Sequence, residues 1–238
     1  MKINYFITIS LFSSASFFWA CNNTNNTNSK IASPSLSKTV TATGSSALLN
    51  NSGEIKIGGQ TWATANLTVT HFRNGEPLPY AMTTEAWEKA GDNGKPAWCY
   101  YNNDSANGKK YGKLYNWYAV HDKRGLVPSG WHVPVDTEWA KLIDYLGGES
   151  VAGTKMKSTK GWNENGNGTN ASGFAALPGG YRFKNGVFNA IGYFGSWWSS
   201  TESYTYSAWF RSIRYDDGGI YRNNYGKQDG FSVRCIRD

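Results

Sequence analysis

The side chains of this 238-residue chain that could carry out catalysis are few and far apart. Its three histidines, His71, His121 and His132, stand alone, and no His-x-x-x-His or Cys-x-x-Cys spacing offers a metal site. His132, between Trp131 and Val133 beside a core helix, reads as a hydrogen-bonded structural residue rather than a base. No serine occupies a Gly-x-Ser-x-Gly turn. Asp216-Asp217 could offer carboxylates to a cation, but Gly218-Gly219 follows, and turn formation accounts for both acids. The expectation is a protein that is not an enzyme, with no cofactor and no metal.

Recognition suits the residues better. From Trp197 to Cys235 the chain interleaves Tyr204, Tyr206, Trp209, Arg211, Tyr215, Tyr221, Arg222, Asn223, Asn224 and Tyr225 with Ser, Gly and Asp. Tyrosine and tryptophan give large contact areas at little rotamer entropy, and Ser, Gly and Asn give adaptable hydrogen bonds. Trp197, Trp198 and Phe231 are expected in the core, with Phe231, Val233 and Cys235 on one face and Ser232 and Arg234 on the other. The tyrosines among polar residues and arginines have the composition of a binding hot spot, for a protein or for the ring faces of a glycan. The segment is therefore read as both staple and recognition surface.

What must position these residues is a single domain preceded by an export signal. Met1-Lys2, an apolar stretch to Trp19 and Ala20-Cys21 resemble a bacterial lipoprotein signal, with Cys21 the lipidated first residue of the mature chain; the alternative is an ordinary secreted protein. Residues 1–20 are then the signal and 21–53, rich in Asn, Thr and Ser, a disordered tether too polar to fold. The folded domain is expected over 54–238. The location implied is the cell envelope, lipid-anchored, at the outer membrane on either its periplasmic or its surface face. The formal charge of +7 is spread singly, its only adjacent basic pairs being Lys109-Lys110 and Lys123-Arg124, so a nucleic-acid partner is not expected. In an exported chain the two remaining cysteines, Cys99 and Cys235, are predicted to form a disulfide closing a loop of about 135 residues and contributing on the order of 4 kcal/mol. Asp104-Ser105-Ala106, in a polar loop predicted over 102–110, matches an Asp-Ser/Thr-small O-glycosylation pattern at Ser105.

Helices are predicted in the first half and hairpins in the second, an α+β pattern. Short strands are expected over 54–57 and 60–67, with Trp62 as anchor, and over 97–101. The spacing of Trp139, Leu142, Ile143 and Leu146 predicts a helix over 136–146, with Asp136 and Glu138 in its first turn and Gly147 ending it. Others are predicted over 84–90, capped by Thr84 and ended by Gly91, over 113–120, and over 149–157. Residues 159–172 read as a long loop. Asn185-Gly186 predicts a type I′ hairpin turn, and Asp217-Gly218-Gly219 another turn.

The phrases IGGQTWATANL, KLYNWYAV, GLVPSGWHVPVDTEWAKLIDYLGG, GFAALPGGYR, GSWWSSTE and GFSVRCIRD together resemble the Fibrobacter succinogenes major paralogous domain, a family of bacterial exported and lipid-anchored proteins. The resemblance runs from Glu54 to the end. It implies a C-type lectin-like fold: a small twisted antiparallel sheet, two flanking helices over 113–120 and 136–146, long loops, and adjacent N- and C-terminal strands. Val135 departs from the hydroxyl residue common before that second helix, so Asp136 is the expected cap. The fold is shared with formylglycine-generating, sulfatase-modifying enzymes, and an enzyme of that kind is the first alternative. Those enzymes use an active-site cysteine pair, whereas Cys99 and Cys235 match the family's structural positions. The Glu-Pro-Asn, Gln-Pro-Asp and Trp-Asn-Asp motifs of calcium lectins are absent. The fold is also that of retroelement-diversified proteins, whose C-terminal segment is the ligand surface, and Tyr221 to Tyr225 resemble it. A purely structural envelope protein with all its aromatics buried is the remaining alternative.

Overall fold

The computed structural model describes Gly53–Asp238; the expected signal, Cys21 and nearly all of the tether lie outside the described residues. In chain order the elements are β1 (Glu54–Ile57), β2 (Gln60–Ala63), α1 (Thr84–Asp92), β3 (Trp98–Cys99), α2 (Ser105–Tyr111), β4 (Leu114–Asn116), α3 (Trp117–Val120), β5 (Trp131–His132), α4 (Asp136–Tyr145), α5 (Glu149–Met156), β6 (Gly179–Arg182), β7 (Phe188–Ile191), β8 (Phe194–Tyr204), β9 (Ser207–Arg214), β10 (Ile220–Gly226), β11 (Gly230–Phe231) and β12 (Ile236–Arg237). The architecture is α+β, as the pattern of elements implied. Its strands form three small antiparallel sheets, β1-β2-β12-β5, β10-β9-β8 and β3-β4-β11-β6-β7, instead of a single one. Strands as short as β3 or β12 carry too few ladder bonds to hold a wide sheet, and the three are joined by packing and by isolated main-chain bonds such as Trp198 N–H to the Ser232 carbonyl (3.1 Å). The N-terminal hairpin and the last strand are neighbours, Trp62 on β2 facing Ile236 on β12.

Helix α4 follows its apolar spacing, burying Trp139, Leu142 and Ile143. Its end is a Schellman motif: Gly148 N–H donates to the Ile143 carbonyl (2.9 Å) and Gly147 N–H to Asp144 (3.0 Å), with Gly147 at φ +103°. Its start differs from expectation. Val135 has no side-chain acceptor and Asp136 does not cap; instead Glu138 Oε2 accepts from Val135 N–H (2.8 Å), and Thr201 Oγ1 on β8 accepts from Asp136 N–H (2.9 Å). A carboxylate within the first turn and a hydroxyl 65 residues away replace the missing cap.

Four other expectations shift for local reasons. Helix α1 is capped by Thr83, whose hydroxyl accepts from Ala86 N–H, and it runs on past Gly91 to Asp92, with Asn93 as its C-cap. Over 113–120 sheet pairing overrides helical spacing: Tyr115 faces Trp98 and Phe231, leaving a single helical turn, α3, capped by Asn116. The 102–110 segment is a 3-10 turn followed by α2, because Asp104 Oδ1 accepts from Ala106 N–H (2.8 Å); Ser105 is thus the exposed first residue of a helix, not part of a loop. At the β6–β7 hairpin Gly186 has positive φ (+78°) and Asn185 does not. The turn is therefore a three-residue loop with glycine in the left-handed position, rather than type I′.

The core lies on two sides of the C-terminal strap. Neighbouring Trp197 and Trp198 point to opposite faces of β8. Trp197 joins Trp62, Trp139 and Phe174 under α4, while Trp198 joins Trp117, Phe210 and Phe231. Both are fully buried, and area burial contributes at most about 5 kcal/mol each. Their indole N–H groups donate to Asn66 Oδ1 and the Tyr115 carbonyl, 2.8 Å each. Arg234 is buried among the same residues with no carboxylate. It donates to Asn66 Oδ1 (3.1 and 2.9 Å) and to the carbonyls of Ala63 (3.1 Å) and Phe174 (2.5 Å), and lies over the Phe174 ring. Burial pulls it down to about 9, so it stays a cation at neutral pH.

The predicted Cys99–Cys235 disulfide is not formed; both are buried free thiols. Strand parity is the reason. On β3, Trp98 packs into the cluster that holds Cys235, while Cys99 points to the other face with Trp87 and Leu114. Burial pushes both thiols up to about 12. Reducing agent is therefore expected to leave Tm unchanged, and alkylation of Cys99 and Cys235 to require denaturant, as mass spectrometry of labelled peptides would show. Replacing Arg234 by Met leaves Asn66 Oδ1 and two buried carbonyls short of donors. Denaturant titration should show a loss of about 3–5 kcal/mol, with Arg234→Lys recovering part of it.

Candidate recognition surface

The ten residues singled out in the sequence lie on or beside one sheet, β10-β9-β8, and the structure divides them. Tyr206 is 75% exposed, Tyr204 62%, Tyr225 43% and Tyr221 40%, and Arg222, Asn223 and Asn224 are exposed with them. Trp209 and Tyr215 are half-buried. Arg211 is 1% exposed and so lies beneath the surface rather than on it.

Register assigns the faces. β10 pairs with β9 so that Tyr221, Asn223 and Tyr225 sit opposite Ser212, Phe210 and Ala208, and Arg222 and Asn224 opposite Arg211 and Trp209. On the first face Tyr225 packs edge-on against Phe210 (5.8 Å between ring centroids) and Phe231 (6.0 Å), one side held and the other wet. Tyr221 donates to Asp217 Oδ2 (2.6 Å), and that carboxylate keeps its phenol protonated to higher pH. On the second face Arg222 stacks on Trp209, 3.3 Å from the ring centroid, and donates to Asp136 Oδ2 (2.9 Å). Arg211 donates to Asp136 Oδ1 (2.7 Å) from below. Asp136 thus fixes both guanidinium groups. Nothing in sequence linked it to β9 or β10, because the contact spans 75 residues and depends on hairpin register.

The β8–β9 hairpin carries Tyr204 and Tyr206, whose rings stack at 6.4 Å and 19°. Burial along β8 falls off after Ser199, where the register with β9 shifts twice, between Trp198 and Glu202 and between Glu202 and Tyr204. Such bulges bend a strand, and here they separate a buried base from an exposed tip. Lys227 clips that tip, donating to Glu202 Oε1 (2.8 Å) and the Thr205 carbonyl (2.7 Å). At the other end the buried Lys157 donates to the carbonyls of Arg214, Tyr215 and Asp217 (3.2, 3.2 and 2.8 Å), holding the turn into β10; burial lowers its pKa. Glu202, Lys227, Lys157 and Asp136 are supports that sequence reading did not find. Each acts through a side chain whose partner is far away in the chain or is a carbonyl with no sequence signature.

Away from this sheet, His132 is hydrogen-bonded, as expected, through both ring nitrogens. Nδ1 meets Asp238 Oδ1 (2.8 Å) and Nε2 meets Glu138 Oε1 (2.9 Å). Burial opposes its charge, but the two carboxylates together outweigh burial and raise its pKa. A cleft of about 480 Å³ beside it is lined by Gln60, Glu138, Lys141 and Asp238. Among the described residues no cluster of three or more His, Cys, Asp or Glu could hold a metal, and no helix is long and apolar enough to cross a membrane.

The chain belongs to the Fibrobacter succinogenes major domain family, whose pattern matches residues 55–237. That is the class the architecture and motifs define, and the match takes in every strand and helix described except the first residue of β1. A comparison with curated proteins found no match.

Asp229 ties this surface to the β6–β7 hairpin, accepting from Lys184 N–H (2.8 Å) while largely buried, and burial raises its pKa from 3.8 to about 6. Folding therefore favours the protonated acid. The stability this brings is full below the unfolded value near 3.8 and is lost as pH rises through about 6. Asp229→Asn mimics the protonated form, so it should raise stability by about 3 kcal/mol at pH 8 and change it little at pH 4 in paired thermal melts.

Proposed function

We propose that the protein is a non-catalytic binding module of the bacterial cell envelope, held by a lipid on Cys21, that recognises a protein or a glycan through the outer part of its β8–β10 sheet. The observation that carries this reading is the row Tyr221–Tyr225, five successive exposed residues alternating aromatic, charged and amide groups on a braced strand. Tyr204 and Tyr206 extend the aromatic area at the hairpin tip. Exposed tyrosines next to a stacked arginine supply rigid contact area with little entropy left to lose, which is what a hot spot requires. A structural envelope protein with every aromatic buried is not supported by these exposures. The sulfatase-modifying alternative draws no support from two buried thiols on opposite faces of a sheet.

The test is a glycan array and immobilised envelope proteins probed with the full-length protein and with a Tyr221→Ala/Tyr225→Ala variant of unchanged Tm. The double variant should bind at least about tenfold more weakly. Equal binding by both would remove the assignment of this surface.

A further inference from the structure

Strand β10 ends its sheet. It pairs with β9 alone, and among the described residues no other backbone or side-chain group bonds to the main chain of Tyr221 to Tyr225. All five residues are exposed and the outer edge carries no hydrogen bond, while helix α5 packs against the turn that leads into the strand. Natural edge strands are usually shielded by brevity, proline, a bulge or an unpaired lysine. β10 has seven residues, contains no proline or lysine, and keeps an unbroken register with β9. Its one charge, Arg222, is drawn back onto Asp136, which it shares with Arg211.

We propose that this edge is an interface with a second copy of the same chain, the two β10 strands pairing antiparallel about a twofold axis at Asn223. The sequence is self-complementary about that point. Antiparallel pairing sets Tyr221 against Tyr225 of the partner, Arg222 against the partner's Asn224, and Asn223 against itself. The aromatic pairs are of the kind that stabilises neighbouring strands, and no like charges meet. Six strands then form one sheet, and a row of four tyrosines crosses the axis on one face. Because strand pairing uses main-chain groups, the side-chain faces stay free; the interface goes beyond the ligand reading and does not depend on it. A strand edge buries less than the roughly 1,200 Å² of a permanent complex, so the dimer is reversible and concentration-dependent.

Single cysteines read the register directly, because Cys99 and Cys235 are buried and unreactive. The test uses full-length protein with Cys21 replaced by Ser, under mild oxidation or with a short bis-maleimide. Asn223→Cys should cross-link to itself. Tyr221→Cys and Tyr225→Cys should each fail alone and cross-link when mixed. In sedimentation velocity the parent protein should shift from monomer to dimer with concentration, and Asn223→Lys, which sets two ammonium groups face to face, should stay monomeric. A parent protein that remains monomeric with an Asn223→Cys variant that does not cross-link overturns the proposal. So does self-cross-linking at Tyr221 but not at Asn223, or a dimer unaffected by Asn223→Lys. None of these readings requires a ligand, so they succeed or fail separately from the binding assay.

Discussion

A single buried cation with no counter-charge organises this domain. Arg234 has its donors spread over Asn66 and the carbonyls of Ala63 and Phe174, with the Phe174 ring as its floor. Removing a guanidinium from water costs several kcal/mol, and only acceptors already held in place can offset that. The acceptors here are mostly backbone, which cannot swing away as a carboxylate side chain can. Asn66 is held in turn, donating to the Tyr111 carbonyl (2.8 Å) and accepting from the Trp197 indole. The end of β2, the end of α2, the base of β8 and the C-terminal strap therefore meet at one point, and each is needed for the others to be satisfied.

The exposed sheet follows from that constraint. Because Trp197 is fixed from one side and Trp198 from the other, the base of β8 can neither rotate nor slip by a residue without exposing an indole. Everything beyond the bulges on β8 is then free to be polar and aromatic without endangering the fold. The supports further out, Lys227 on Glu202 and Lys157 on three carbonyls, fix the two ends of the sheet and leave its middle wet. Staple and display are successive stretches of the same strands.

The sequence reveals periodicity and local turns well, and parity across strands poorly. Helix α4 was legible because four apolar residues repeat at helical spacing and a glycine ends it. The division of the C-terminal segment into buried and exposed aromatics was legible because its apolar residues cluster at both ends and its polar aromatics in the middle. The state of Cys99 and Cys235 was not, since counting cysteines ignores which face of β3 each side chain takes. Arg211 reads like Arg222 in sequence; only the β9 register, which sets it opposite Trp197, shows that it belongs under the sheet. The strand at 114–116 hid within a helical pattern because its pairing residues lie on β3 and β11, one of them more than a hundred positions away.

The same inward turn of arginines changes the meaning of the net charge. A formal +7 suggests a basic surface, yet Arg182, Arg211 and Arg234 are each 1% exposed. Arg182 donates to the carbonyls of Gly186, Ala81 and Thr83 and lies between the Trp87 and Phe188 rings, a second neutral cage built like that of Arg234. Aromatic faces make such cages possible, because a ring quadrupole solvates a planar cation where an aliphatic wall would not. In a domain of short strands and long loops, many carbonyls lack a ladder partner. A guanidinium with five fixed donors collects several of them at once, and an apolar side chain of equal size would leave them stranded. The buried arginines are best understood as the hydrogen-bonding hubs of a core too irregular to satisfy itself through sheets alone, and the charge they carry is incidental to the surface the protein presents.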